Sequence, residues 1–134
     1  MSLAELKADV VILACAISAG IHGALVPGHF DESLGAVGFA AATLALAGLV
    51  VWLTRRPASP SALAAAAVTF TGLLASYALA VTTGLPLVHP DPEPVDGLAL
   101  ATKAIEALGL LAAPSLLWRP RIPATLLQPK GTLT

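Results

Sequence analysis

Four long runs of apolar residues, almost free of charged side chains, limit what this chain can fold into. The clearest run covers residues 34–54, which contain no Asp, Glu, Lys or Arg. About 20 apolar residues are enough to cross the hydrocarbon core of a bilayer as a helix. Because lipid offers the backbone no hydrogen-bond partners, a helix is the expected conformation. The chain is therefore predicted to be a helical membrane protein.

Prolines, glycines and short polar connectors mark the ends of these runs. Pro27 and Gly28 end the first run, since proline cannot continue the helical hydrogen bonds and glycine accepts turn conformations. The segment 57–60 separates the second and third runs, and Ser61 is a candidate N-cap for the third. Residues 1–9 read as a short amphipathic lead-in at the membrane interface. We predict spans at 10–26, 34–54, 61–83 and 97–118 in a single integral membrane domain, residues 1–134.

The composition favours an all-α, four-transmembrane-helix up-down bundle. Hydrophobic residues make up 57% of the chain and aromatic residues only 4%, and an Ala-rich, aromatic-poor chain suits close helix packing in lipid. The net charge of −1 leaves no basic surface for a nucleic acid. The single cysteine, Cys15, excludes an intrachain disulfide and any multi-cysteine metal site; we expect it to be a small packed residue.

The positions of the basic residues predict the orientation. They lie at the N-terminus, in the second connector and in the C-terminal segment, and the positive-inside rule places those parts, and both termini, in the cytoplasm. The loops 27–33 and 84–96 contain acidic residues and no Lys or Arg, so we expect both to be extracytoplasmic in a cell (inner) membrane protein. The basic residues that set this prediction are Lys7, Arg55, Arg56, Arg119, Arg121 and Lys130.

Helical periodicity identifies one stripe of polar or small residues on each span. We expect these stripes to point into the bundle, since lipid cannot hydrogen-bond them. They are Cys15, Ser18 and His22 on the first helix, Gly35, Gly38 and Ala42 on the second, Thr69, Gly72, Ser76 and Thr83 on the third, and Asp96, Lys103 and Glu106 on the fourth.

Lys103 and Glu106 are the residues of the fourth helix whose charged side chains are most costly to place inside a membrane. They are three positions apart, so their side chains can pair. Glu106 lies roughly 15 Å deeper than Asp96 at the helical rise. An ionised carboxylate at that depth requires a cation or a proton.

The histidines and most acidic residues map to the outer half of the predicted bundle. Of the eight acidic residues, only Glu5 and Asp9 do not. Imidazole nitrogens and carboxylate oxygens suit Zn²⁺ or Cu²⁺, whereas a single Met and a single Cys argue against Cu(I), and one helical histidine argues against haem. We predict a Cu or Zn site for metal sensing, delivery or passage, with ligands His22, His29 and Glu106 and alternates Glu32, His89 and Asp96.

The same residues admit other interpretations. The spacing His-x6-His does not match the i, i+4 pair that binds a metal on one helical face. His22 could instead hydrogen-bond a neighbouring helix while Lys103 neutralises Glu106. The protein would then be a non-catalytic accessory subunit of a larger membrane complex, or a proton or ion path through a homo-oligomer that uses Lys103 and Glu106. An enzyme is less favoured, since no nucleophile and base occur at a recognisable spacing.

Three segments carry a resemblance to a known group of proteins. They are Gly20-Ile21-His22-x-Ala24-Leu25-x-Pro27-x-His29-Phe30-x-Glu32, Thr83-Gly84-Leu85-Pro86 with the following loop through Asp96-Gly97, and 101–106. Together they resemble a family of small, uncharacterised four-helix membrane proteins from high-GC bacteria. The resemblance spans about residues 20–110 and implies the fold and the residue set. In that family the residue before the second histidine is commonly acidic, where this chain has Gly28.

Overall fold

The computed structural model describes residues 1–31, 33–86, 88 and 90–118. Within these residues the chain forms four long helices, and each is long and apolar enough to cross a membrane. The predicted all-α four-helix bundle of a multipass membrane protein is therefore confirmed. The helices are α1 (Leu3–Leu25), α2 (Ser33–Arg55), α3 (Pro60–Thr82) and α4 (Gly97–Leu117). The basic residues Arg119, Arg121 and Lys130 lie outside the described residues.

The start of α1 is set by a reciprocal cap between Ser2 and Glu5. The Ser2 hydroxyl accepts a hydrogen bond from the Glu5 backbone N–H at 3.2 Å, and the Glu5 carboxylate accepts one from the Ser2 N–H at 2.5 Å. Such a capping box satisfies two backbone donors that a helix otherwise leaves free. The helix therefore begins at Leu3 and runs through the segment that the sequence indicated as a lead-in.

The start of α3 differs from the prediction. The cap is Ser59, whose hydroxyl accepts from the Ala62 backbone N–H at 3.4 Å. The prediction of Ser61 was wrong because Pro60 occupies the first helical position, where its missing N–H has no partner to lose. The start of α4 is capped by Asp96, whose Oδ1 accepts from the Ala99 N–H at 2.8 Å.

The connections give the bundle two distinct ends. α1 stops at Leu25 and is followed by the 3₁₀ turn Pro27–His29, and short connections make consecutive helices antiparallel neighbours. We call the end where α1 and α3 finish and α2 and α4 begin the histidine end. α1 packs extensively against α2 and α4, and α3 packs against α4; among the pairs of neighbouring helices, α2 and α3 have the smallest contact. That weak seam leaves space between α2 and α3.

The inward faces of α1 and α2 largely follow the sequence pattern. Cys15 and Ser18 are fully buried and His22 is 6% exposed, which confirms the predicted stripe on α1. On α2, Gly35 is buried and Ala42 half-buried, whereas Gly38 is exposed. Cys15 lies in the apolar core, as expected for a small packed residue.

The inward face of α3 was predicted wrongly. Gly72, Ser76 and Thr83 are exposed and Thr69 is half-buried. The threonine hydroxyls donate to carbonyls of their own helix, as Thr69 does to Ala65 O at 2.9 Å, so they face lipid without an unsatisfied donor. Apolar side chains fill the buried face instead, and they are Ala62, Leu63, Ala66, Phe70 and Ala80.

Candidate functional site

The Glu106 carboxylate is the centre of a polar network inside the bundle. Its side chain has no exposed surface. The Ser18 hydroxyl donates to Oε1 at 2.7 Å, and the Lys103 ammonium donates to Oε2 at 2.6 Å. The predicted Lys103–Glu106 pair is therefore confirmed, and the bond from Ser18 joins α1 to α4. We call Ser18, His22, Lys103 and Glu106 the polar network.

His22 joins this network with one ring nitrogen fixed and the other available. Its Nδ1 lies 2.8 Å from the Ser18 carbonyl oxygen, and because a carbonyl only accepts, Nδ1 carries the hydrogen. The Nε2 atom lies 3.9 Å from Glu106 Oε1, which is too long for a hydrogen bond. In the neutral imidazole, Nε2 is therefore an acceptor that Glu106 does not occupy.

His29 repeats this arrangement beyond the end of α1. Its Nδ1 lies 2.8 Å from the Leu25 carbonyl oxygen, so Nε2 is again the nitrogen left for other partners. The ring of Phe39 on α2 packs against both imidazoles, with centroid distances of 4.5 Å to His29 and 5.8 Å to His22. Three rings from α1, its following turn and α2 therefore form one side of the site.

Tyr77 on α3 completes the site from the opposite side. The Lys103 ammonium lies 5.5 Å from the centroid of its ring, within the range of a cation–π interaction. The Tyr77 hydroxyl is buried and has no hydrogen-bond partner among the described residues. The sequence alone does not reveal this position of Tyr77, because the burial of its hydroxyl depends on how α3 turns toward α4.

These side chains line a cavity of about 400 Å³ at the histidine end. Its volume lies within the range of small-molecule sites in proteins. All four helices contribute to it, and most of its wall is apolar. Its polar lining includes His22, His29, Tyr77, Thr102 and Lys103, and the α2 wall is Leu34, Gly35, Gly38, Phe39 and Ala42.

The charges around this cavity are unevenly distributed. Lys103 and Glu106 neutralise each other at its inner part, whereas Glu93 and Asp96 line its outer part. The Glu93 backbone N–H donates to the Ala80 carbonyl at 2.9 Å, which holds the α3–α4 connection against the end of α3. The cavity therefore has a neutral interior and a negatively charged mouth.

The structure brings only some of the predicted metal ligands together. His22 and His29 line the cavity, and Glu106 lies behind its wall, bonded to Lys103. Asp96 also lines the cavity, with one oxygen engaged in the helix cap. Among the residues that the structure describes, no three His, Cys, Asp or Glu side chains form a group that could hold a metal ion. The alternates Glu32 and His89 lie outside the described residues.

Comparisons with protein-family models, with curated proteins and with solved structures found no match to this chain. The resemblance to four-helix membrane proteins of high-GC bacteria therefore stays a prediction that rests on the quoted motifs.

Proposed function

We propose that this multipass membrane protein binds a small, uncharged amphiphile in the cavity at the histidine end. The observation that carries the proposal is the cavity itself, about 400 Å³ with apolar walls. A few polar groups converge on it, from His22, Tyr77 and Lys103. Apolar clefts with a small number of placed polar groups are the usual form of small-molecule sites.

The charges favour an uncharged head group. An anion gains little from Lys103, whose charge is already neutralised by Glu106, and it must pass the carboxylates of Glu93 and Asp96. A cation finds both Glu106 oxygens occupied, by Ser18 and by Lys103. Because uncompensated charge is costly at membrane depth, a neutral head group with hydrogen-bonding atoms fits best.

The weak seam between α2 and α3 offers a place for the apolar tail. Gly35, Gly38 and Ala42 line the cavity from α2, and Leu73, Ser76 and Ala80 line it from α3. Because these α2 side chains are small, they leave the space between the two helices open. The tail can therefore extend from the cavity toward lipid along this seam.

The test is equilibrium binding to the full chain in lipid nanodiscs, with empty nanodiscs subtracted. The probes share a dodecyl tail and differ in charge: dodecanol, dodecyl phosphate and dodecyltrimethylammonium. We expect dodecanol to bind at least about tenfold more tightly than either charged probe, or about 1.4 kcal/mol. Equal affinity for all three would contradict the uncharged ligand.

Two glycines of α2 give a matched pair of variants for this test. Among the residues that the structure describes, a Cβ at Gly38 or at Gly48 meets no atom within 4 Å, and of the two only Gly38 lines the cavity. Gly38→Leu should fill the cavity and weaken dodecanol binding by about tenfold or more, whereas Gly48→Leu should bind like the wild type. Equal binding by both variants would overturn the cavity as the site.

A second proposal is the divalent Cu or Zn site that the sequence predicts. It is favoured by one observation: both His22 and His29 hold Nδ1 on a backbone carbonyl, and within the described part of the chain neither Nε2 has a hydrogen-bond partner. Metal-binding histidines usually have such a partner on the other nitrogen. A divalent ion at Glu106 would add charge to a neutral network, so Lys103 must leave the carboxylate first.

Metal analysis of the purified protein after dialysis against Zn²⁺ or Cu²⁺ tests this second proposal. The wild type should retain metal, and His22→Ala and His29→Ala should each lose it. Lys103→Met should raise the metal affinity, since it frees a Glu106 oxygen. Equal metal content in wild type and both histidine variants would refute the site.

We further propose that the protein lies in the cell (inner) membrane with the histidine end outside. The support is that Lys7, Arg55 and Arg56 belong to the opposite end, where α1 begins and α2 finishes. The accessory subunit and the homo-oligomer stay predictions. A defined co-purifying partner would support the accessory subunit, whereas a stable isolated oligomer with bound metal would count against it and favour the homo-oligomer.

A further inference from the structure

The hydrogen-bonding groups of the cavity differ between its two sides. On the α3–α4 side are donors: the buried Tyr77 hydroxyl, without a partner among the described residues, and the Lys103 ammonium. A buried hydroxyl that lacks a partner costs stability. The hydroxyl oxygen is closed off from the cavity, so a small rotation of the Tyr77 side chain is needed to bring it to a ligand oxygen, and the hydrogen bond would then remove that cost.

On the α1 side are acceptors. Both histidines donate from Nδ1 to a carbonyl, so in the neutral ring each offers the lone pair of Nε2. Glu106 Oε1 is already engaged by Ser18 and lies too far from His22 Nε2 for a hydrogen bond. His22 can therefore accept a hydrogen bond from a ligand hydroxyl.

The walls between these two sides favour a flat ring. Phe39 packs against both imidazoles with ring planes tilted by 50° and 52°, and the Tyr77 ring lines the same cavity. Aromatic rings associate well in tilted and offset arrangements. A planar head group gains more from these walls than a flexible chain of the same size.

We propose that the head group is an aromatic ring with oxygen substituents on opposite sides, of the quinol class, carrying an apolar tail. One ring oxygen accepts from Tyr77 and Lys103, the opposite hydroxyl donates to His22 Nε2, and the tail follows the α2–α3 seam. The inference concerns binding without a change of oxidation state. It rests on the proposed function, since it names the ligand class of the same cavity.

The test uses the full chain in nanodiscs with four uncharged probes: decylubiquinol, decylubiquinone, dodecanol and monolaurin, an aliphatic amphiphile with free hydroxyls. We expect decylubiquinol to bind at least about tenfold more tightly than monolaurin or dodecanol. It should also bind about fivefold more tightly than decylubiquinone, because the oxidised ring cannot donate to His22.

Tyr77→Phe separates the ligand role of the hydroxyl from a structural one. The variant keeps the ring and removes a hydroxyl that has no partner among the described residues. Decylubiquinol binding should weaken about five- to tenfold, while the thermal unfolding midpoint stays the same or rises. The control is Thr71→Val, which removes an exposed hydroxyl of α3 that bonds its own helix at Ala67 O and does not line the cavity; its binding should not change.

The outcomes distinguish the two proposals. If monolaurin binds as tightly as decylubiquinol and Gly38→Leu weakens both, the quinol class is overturned and the uncharged-amphiphile site stands. If decylubiquinol binds tightly and Tyr77→Phe binds it equally well, the ring placement is overturned. If no probe binds the wild type more tightly than it binds the Gly38→Leu variant, both proposals are overturned.

Discussion

At the scale of single residues, the polar network shows how a charge is kept inside an apolar bundle. Glu106 is fully buried, yet each carboxylate oxygen accepts a hydrogen bond, from Ser18 and from Lys103. Breaking a buried ion pair leaves an uncompensated charge, whereas replacing both partners by apolar residues is often tolerated. The pair is therefore a strong test of whether the network is structural.

We expect Lys103→Met to lower the free energy of unfolding by about 3 kcal/mol, because it leaves the Glu106 charge unpaired. Glu106→Leu should lower the free energy of unfolding by only about 1–2 kcal/mol. The Lys103 side chain is 15% exposed, so its ammonium can turn toward the cavity once the carboxylate is removed. The free energy of unfolding of the double variant should lie within about 1 kcal/mol of the wild-type value. Denaturant unfolding in mixed micelles measures all three, as a double-mutant cycle.

If the double variant loses as much stability as the two single variants together, that result would contradict this coupling. Such a result would also remove the argument that Lys103 and Glu106 neutralise each other at the wall of the cavity. A double variant that keeps both its stability and its dodecanol binding would instead place the ligand contacts on His22 and Tyr77.

Only part of this network could be predicted from the sequence. The Lys103–Glu106 pair was predictable because both residues lie on one helix at a fixed spacing. The Ser18–Glu106 bond joins residues on α1 and α4, so it depends on how two helices rotate and pack. The position of the Tyr77 hydroxyl depends on α3 in the same way, and no periodicity along one helix reveals it.

At the scale of helices, Gly109 shows how α4 approaches its neighbours. It lies on the buried face of α4 with Thr102, Glu106 and Ala113. A Cβ at this position would lie 2.5 Å from Phe70 Cε2 and 2.8 Å from Ala14 Cβ. The missing side chain therefore lets α1, α3 and α4 meet closely.

We expect Gly109→Ala to lower the free energy of unfolding by about 2 kcal/mol, because the added methyl group overpacks the core against Phe70. Gly72→Ala on α3 is the matched control, since a Cβ there meets no atom of the described part of the chain within 4 Å. It should leave stability unchanged or raise it by about 0.5–1 kcal/mol through helix propensity. Thermal or denaturant unfolding of the two variants checks this, and equal effects would contradict the close approach.

The helix ends and faces show where sequence patterns succeed and fail. Proline and glycine located the end of α1 to within a residue, because they act on the local backbone. The inward face of α3 was missed, because its threonines bond their own helix and do not need the bundle interior. A polar stripe therefore predicts burial only when its side chains cannot be satisfied within the helix.

At the scale of the whole molecule, the up-down topology collects residues that are far apart in the sequence. His22, Phe39, Tyr77 and Lys103 come from four different helices and line one cavity. The sequence predicted this gathering for the histidines and acidic residues, because antiparallel spans bring alternate connections to one side. It did not predict the cavity, whose shape depends on the weak contact between α2 and α3.

The charges at the two ends predict how the bundle sits in its membrane. At the end opposite the histidine end, the start of α1 meets the connection between α2 and α3, because Ala4, Glu5 and Pro57 line one surface cleft. Lys7, Arg55 and Arg56 belong to this end, whereas the histidine end carries Asp91, Glu93 and Asp96. Lys and Arg near the ends of spans are retained on the cytoplasmic side. The amphiphile site should therefore face the outer half of the bilayer.

Labelling of single cysteines tests this orientation. Cys15 is fully buried, and Cys15→Ala gives a background in which only introduced cysteines react. Gly28→Cys and Ala58→Cys place exposed thiols in the α1–α2 and α2–α3 connections. A membrane-impermeant maleimide should label Gly28→Cys on intact cells and Ala58→Cys only after permeabilisation. The reverse pattern would place the histidine end in the cytoplasm and require the ligand to enter from the inner half of the bilayer.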